Sequence, residues 1–300
     1  MTLVVFGAGG QVGRELTGLA RARGLPVRAF ARAEVDITDA AAVAAAVRGA
    51  DFVANCAAHT AVDKAEADRD QAFAVNATAP GVIAQACAEA GAALLHISTD
   101  YVFRGDGDRP WREDDAIAPL SVYGESKAAG EAAVRAALPR HVILRTAWVF
   151  AAHGHNFVRT MLRLGAERPE LRIVADQRGG PTPAADIAAA ILAIRDRALA
   201  PGFSDWGTFH FAGAPATTWY DFAAAIFAER GGPAPILHPI ATADYPTPAR
   251  RPSNSVLDCG KIGRVFGVAQ PDWRRALHDV VDAITAQAGI PRRAGPDRWG

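Results

Sequence analysis

Tyr123 and Lys127 stand four residues apart, a spacing that on a helix puts a phenol and an amine on one face, one turn apart. Ser98, Thr99 and Asp100 close an apolar run and bring a hydroxyl to the end of a central strand, where open α/β sheets bind their ligands. The three types suit reduction of a carbonyl: Thr99 to hold the oxygen, Tyr123 to exchange its proton and Lys127 to tune the phenol. Free tyrosine and lysine both titrate near about 10. An ammonium about 4 Å from the phenol, at an effective dielectric of about 20, supplies roughly 4 kcal/mol and favours phenolate by about three pH units. The lysines of the chain are Lys64, Lys127 and Lys261, and arginine carries the positive charge elsewhere. A lysine kept at this spacing therefore reads as a compact ammonium that a broad guanidinium fork does not replace.

A second group of residues could hold a cofactor. Gly7, Gly10 and Gly13, with Gln11 and Val12 between them, lie between an apolar strand and a helical pattern. Glycines at that turn let the chain reverse tightly, bring backbone N–H groups against a pyrophosphate and pack helix on strand. The second strand ends in Phe30, Ala31 and Arg32, without the acidic residue that would hold the ribose 2′-hydroxyl of NAD. Two readings of Arg32 stand: it accepts the 2′-phosphate of NADP with help from Arg14, or it is a solvated surface arginine. Asp36, with Ile37 behind it, is expected where the third strand ends, against the adenine. Asn55, Ala57, Ala58 and His59 are expected to border the cofactor at the tip of the fourth.

These residues need a scaffold that alternates strand and helix. Strands are predicted over 3–6, 27–31, 52–55, 94–98 and 142–146. Helices are predicted over 10–23, 40–47 with Thr38 or Asp39 as N-cap, 64–90 and 121–137. That alternation implies a doubly wound α/β fold, a parallel Rossmann sheet covered on both faces. The pattern loosens after Phe150: a helix over 184–199, a strand over 208–211, a helix over 219–229, then an ordered loop over 231–252 with six prolines. Trp273, Leu277, Val280, Val281 and Ile284 recur at helical spacing, and the last ten residues read as a frayed tail. The organisation expected is a dinucleotide-binding domain over 1–150 and a smaller α/β substrate-binding domain over 151–300. Part of 172–212 returns to the first.

Charge and composition exclude several function classes. Lys+Arg 32 balances Asp+Glu 32 across 300 residues, so no broad basic surface exists for wrapping nucleic acid or binding a membrane. No run approaches the roughly 18 apolar residues of a membrane span. The N-terminus lacks the basic region of a signal peptide, and a cytoplasmic protein is expected. Cys56, Cys87 and Cys259 are odd in number and widely spaced, which suggests neither a disulfide framework nor a thiolate metal site. His153 and His155 flank Gly154 and read as a loop rather than a metal pair.

Taken together, the glycine turn, residues 55–66 (NCAAHTAVDKAE), 98–103 (STDYVF), 122–127 (VYGESK), 145–148 (RTAW) and 245–252 (YPTPARRP) resemble the dTDP-4-dehydrorhamnose reductase family of extended short-chain dehydrogenases. The resemblance runs from Leu3 to about Ile284. It implies reduction of the 4-keto group of dTDP-4-dehydro-L-rhamnose by NADPH or NADH, by a monomer or homodimer. By position it makes Tyr123 the proton donor, Lys127 the tuner and nicotinamide-ribose contact, and Thr99 the hydrogen bond to the sugar's O4. Asp100 and Trp148 would line the sugar, and Asn156 and Arg250 would approach the nucleotide diphosphate. Core packing is the competing role for Trp148, and a rim salt bridge the competing role for Arg250. Some members are dimers built around a magnesium ion held by glutamates. Glu15 fits one such position, whereas Ala185 stands at another, which leaves metal and dimer open. Two alternative functions share the scaffold: a nucleotide-sugar epimerase or dehydratase, and a non-catalytic regulatory subunit. Dehydratases carry Asp-Glu after the threonine, and this chain has Asp100 followed by Tyr101.

Overall fold

In the computed structural model, residues 1–287 are described; the expected C-terminal tail lies outside them. Leu3–Phe6 forms β1, four apolar residues with no exposed surface, as the middle of a sheet covered on both faces requires. It leads into α1 (Gln11–Ala22), whose Val12, Leu16 and Ala20 recur every fourth residue and are buried. Next come β2 (Val27–Phe30) and α2 (Ala40–Val47), started by Asp39, whose Oδ1 accepts from the Ala41 and Ala42 N–H groups at 2.9 and 3.1 Å. After β3 (Phe52–Asn55), the single helix expected over 64–90 is broken into α3 (Val62–Ala67), α4 (Arg69–Phe73), a π turn (Ala74–Thr78) and α5 (Ala79–Ala90). Asp68 leaves the helical region at φ −130°, ψ 58°, which separates the first two. Pro80 has no N–H to give to the Asn76 carbonyl, which fits the π turn there.

The chain continues through β4 (Ala93–Thr99), a 3₁₀ turn over Asp100–Val102, α6 (Val122–Ala137), β5 (His141–Thr146) and β6 (Val149–Phe150). Ser121 caps α6 by accepting from the Gly124 N–H at 3.2 Å. Helix α6 passes so close to the π turn that a Cβ on Gly130 would overlap the Asn76 carbonyl oxygen. Beyond it lie α7 (Phe157–Glu167), β7 (Glu170–Val174), β8 (Arg178–Gly179), β9 (Thr182–Pro183) and α8 (Ala184–Ala198). Then follow β10 (Gly207–His210), β11 (Thr217–Thr218), α9 (Trp219–Arg230), β12 (Ile236–Ile240), α10 (Gly260–Phe266) and α11 (Trp273–Gln287).

The main sheet runs β10-β5-β4-β3-β1-β2, parallel throughout. The strand order reverses between β1 and β3, and the crevice outside their carboxyl ends is the ligand position of a doubly wound sheet. Helices α1 and α8 cover one face; α2, α5 and α6 cover the other. A third core gathers α7, β7, α9 and α11 around Phe150, Phe222 and Trp273. The stretch expected as loop over 231–252 contains β12, paired in parallel with β7. Its Pro239 is tolerated because this ladder has two strands and leaves one edge of β12 free. No helix among the described residues is long and apolar enough to cross a membrane.

Candidate active site

The glycine turn meets the end of β3 backbone to backbone. Gly7 adopts φ +76°, and a Cβ there would lie 2.6 Å from the Ala57 nitrogen; one on Gly13 would overlap the Gly7 carbonyl. Only glycine fits at either position. Gly10 donates its N–H to the Gly7 carbonyl at 2.9 Å and starts α1 with no side-chain cap, so the first-turn N–H groups are left for an anion. Val12 is buried in the core and offers this site its backbone. The cradle fits a dinucleotide pyrophosphate: bare backbone donors, a helix N-terminus and no side chain in the way.

Past β3, Ala57 and Ala58 are half-buried, and Asn76 clamps the next residue in place. The Asn76 Oδ1 accepts from the His59 N–H at 2.8 Å, and its Nδ2 donates to the His59 carbonyl at 3.0 Å. Asn55 to His59 thus lies at the tip of the third strand in sequence, not the fourth. Asp36 also lies elsewhere than expected. It follows β2 in the loop before α2, where its Oδ1 accepts from the Thr38 N–H and hydroxyl at 3.0 and 2.8 Å. Ile37 behind it is buried in the sheet's second core rather than open to a ligand. Arg32 is exposed directly after β2.

Thr99 ends β4 and Tyr123 lies in the first turn of α6, with the threonine hydroxyl facing the phenol. The Thr99 hydroxyl also donates to Asp100 Oδ1 at 2.9 Å and accepts from the Tyr101 N–H at 3.2 Å. The Tyr101 ring meets Tyr123 edge-on, 5.8 Å between centroids. Burial pushes the Tyr123 phenol up to about 12; the Thr99 hydroxyl opposes this and the Asp100 charge adds to it. Burial likewise raises the Asp100 carboxyl to about 6, against the hydroxyls of Ser255 and Thr99.

Lys127 is placed differently from the sequence expectation. Its Nζ turns onto β4, donating to the Ile97 carbonyl at 2.6 Å and lying 3.2 Å from His96 Nε2. Only 2% of the residue is exposed, and burial pushes the amine down to about 8, with Glu131 and Cys56 working the other way. Desolvation opposes the depression expected of the phenol and moves both groups toward their neutral forms.

Among the remaining candidates, Trp148 is half-buried at φ +48° and stacks on Trp219 with ring centroids 3.5 Å apart. Asn156 is buried. Its Nδ2 donates to Gln11 Oε1, the Ala151 carbonyl and the His153 carbonyl at 2.9, 2.8 and 3.2 Å, while Oδ1 caps α7 through the Arg159 N–H. The amide thus buttresses the glycine turn through Gln11. Arg250 is exposed, whereas Arg251 ties the loop to α3 through Asp63 at 2.8 Å. Glu15 pairs with His153 at 2.7 Å, Ala185 is exposed, and no group of three or more His, Cys, Asp or Glu fit for a metal occurs among the described residues.

Two features of the site escaped the sequence reading: the buried Glu131–Arg145 pair behind Ser98, and the Asn55–His96–Lys127 row. Glu131 falls one turn after Lys127 on α6, a spacing that could have flagged it.

A phenol beside the threonine at the carboxyl end of a parallel sheet, with a buried lysine one turn further on, belongs to the short-chain dehydrogenase/reductase class. Residues 1–286 match the family described as RmlD substrate binding domain. The dTDP-4-dehydrorhamnose reductase of Aggregatibacter actinomycetemcomitans is 43% identical over 286 residues, 93% of this chain and 97% of the relative. A crystal structure of a dTDP-4-dehydrorhamnose reductase from Clostridium acetobutylicum superposes with a TM-score of 0.90 at 37% identity, covering 95% of this chain and 100% of that one. The Bacillus anthracis dTDP-4-dehydrorhamnose reductase, solved in complex with NADP, gives 0.86 at 34% identity over 93% of this chain and 98% of its own. The chain belongs to the dTDP-4-dehydrorhamnose reductase family.

Proposed function

We propose that the protein reduces the 4-keto group of dTDP-4-dehydro-L-rhamnose, giving dTDP-L-rhamnose, with NADPH or NADH as reductant and Tyr123 as proton donor. The observation that carries this reading is the placement of Thr99, at the carboxyl end of β4, against Tyr123 in the first turn of α6, with the buried Lys127 one turn further on. A bound nicotinamide would supply the hydride. Gly7, Gly10, Gln11, Val12 and Gly13 hold the pyrophosphate, and Ala57, Ala58 and His59 form the adjoining wall. Thr99 orients the sugar's O4. Tyr123, held protonated far above neutrality, releases its proton as negative charge develops on that oxygen. Asp100, Trp148 and Arg250 form the substrate side. Tyr101 stands where an eliminating enzyme would carry a glutamate, which supports reduction over elimination. Mixing the protein with dTDP-4-dehydro-L-rhamnose and NADPH or NADH should consume reduced nicotinamide mole for mole with sugar; no net consumption would point to an epimerase or a binding subunit.

Lys127 gives this reading a pH dependence. As the ammonium it stabilises the phenolate that Tyr123 becomes, so the active form is protonated. With the amine at about 8, kcat/KM should hold level near neutrality and fall about ten-fold per pH unit above 8. A profile still level at pH 9.5 would remove the ammonium from the mechanism.

Arg32 sets the cofactor preference if it binds the 2′-phosphate. Arg32→Ala should then raise KM for NADPH about ten-fold or more, as expected from losing about 1.5–3 kcal/mol of charged hydrogen bonding, and leave NADH unchanged. Equal effects on both dinucleotides would return Arg32 to the solvated surface.

A further inference from the structure

Behind the site, a row of buried polar groups runs from β3 through β4 to α6. Asn55 Oδ1 accepts from the Ala57 N–H at 3.1 Å, which fixes the amide so that Nδ2 faces His96 Nδ1 at 3.1 Å. His96 Nε2 lies 3.2 Å from Lys127 Nζ. Asn55 and His96 have 1% and 0% of their surface exposed. An amide nitrogen only donates, so His96 Nδ1 must accept. A neutral imidazole that accepts at Nδ1 carries its hydrogen on Nε2, and that hydrogen points at the lysine nitrogen.

We infer that His96 is a positioning residue for Lys127: the one-way chain from Asn55 through His96 ends on the lone pair of the lysine and opposes its protonation. An ammonium has three donors and no acceptor, so it would face the Nε2–H donor to donor. A free amine accepts that hydrogen and still donates to the Ile97 carbonyl. His96 itself stays neutral, because burial and the nearby Lys127 charge hold its pKa well below the ordinary imidazole range. Glu131, one turn further along α6, and Cys56, after β3, are the other titratable groups that act on Lys127, and both favour the ammonium. The donor from His96 is the polar contact that works against it, alongside burial. It brings the proton exchange of Lys127 toward the neutral range, where the site's positive charge can come and go with its anionic ligands.

This inference rests on the proposed role of Lys127 only for its catalytic consequence; the chain itself is read without turnover. In the ¹⁵N-histidine-labelled protein, two-bond ¹⁵N–¹H correlations should show His96 as the Nε2–H tautomer. The Lys127 amine, assigned by the signal missing in Lys127→Met, should titrate below the ordinary lysine range. Asn55→Asp keeps the acceptor for Ala57 but turns the second atom from donor to acceptor. His96 should then switch to the Nδ1–H tautomer, and Lys127 should titrate about one pH unit or more higher, taking the alkaline limb of kcat/KM with it. An Nδ1–H tautomer in the parent overturns the inference. So does a Lys127 titration that stays put although the tautomer has switched. Were Asn55→Asp not to fold, the parent's tautomer and lysine titration decide alone. If both NMR readouts shift and the activity profile does not, the chain stands and the catalytic role of Lys127 falls.

Discussion

Tyr123→Phe should lower kcat by about 10²–10⁴ while dinucleotide affinity changes by less than about two-fold, the usual worth of a positioned general acid. In the proposed reduction, hydride arriving at C4 would leave an alkoxide on O4, which must be protonated as it forms. The phenol is the one group at this position built to deliver that proton. Thr99 beside it would hold the oxygen, but an aliphatic hydroxyl is too weak an acid to replace it. Asp100, raised to about 6, is largely ionised at pH 7 and serves as an acceptor for Thr99. The glycine cradle and the lysine stay in place in the variant, so binding and chemistry should separate. Measuring kcat under saturating sugar and NADPH, with dinucleotide binding followed by fluorescence, distinguishes them. Turnover within a few-fold of the parent would mean that the proton comes from water or from Asp100, and the mechanism would have to be redrawn.

What could be read from the sequence was whatever depends on local spacing. The Gly7–Gly13 turn is legible because a steric demand on the backbone admits one residue type. The Tyr123–Lys127 pair is legible because helical geometry turns a four-residue interval into a shared face. The direction in which Lys127 turns is not, because His96 reaches it through the pairing of a strand with a helix 31 residues away. The same limit explains Asn156: a helix cap reads identically whether its amide faces solvent or, as here, Gln11 across the fold. Strand β12 was hidden by prolines that argue against a central strand but not against the outer member of a two-stranded ladder.

Glu131→Gln should cost about 3–5 kcal/mol of stability at pH 7, the effect expected from breaking a buried ion pair and leaving one charge behind. Glu131 and Arg145 are 0% and 1% exposed, joined at 2.7 and 2.8 Å through the guanidinium NH2 and Nε. The Ser98 hydroxyl donates to the same carboxylate at 2.6 Å, and Arg135 reaches it at 2.6 Å. Arg145 has little else to neutralise it: the Phe103 ring lies beneath at 4.9 Å, and His210 beside it is held neutral, its pKa pushed to about 3 by burial and the arginine's charge. Glutamine preserves the volume and part of the hydrogen bonding but not the charge, so the guanidinium stays buried and uncompensated. Burial alone would raise the Glu131 pKa, but the hydrogen bond and charge of Arg145, with Ser98 and Arg135, hold it below the ordinary carboxylate value. A depressed carboxylate stabilises the fold above its unfolded pKa and loses that contribution as pH falls through the folded one. The gap between parent and variant in urea denaturation should accordingly be widest at neutral pH and close in strong acid. Glu131→Leu combined with Arg145→Met should cost less than Glu131→Gln alone, because the pair's desolvation disappears with its attraction. Because Ser98 precedes Thr99 on β4, the loosened carboxylate should also lower kcat in the surviving folded fraction. If the glutamine variant matched the parent within about 1 kcal/mol at pH 7, water or another anion would have to reach Arg145, and the site's back wall would be wetter than this packing allows.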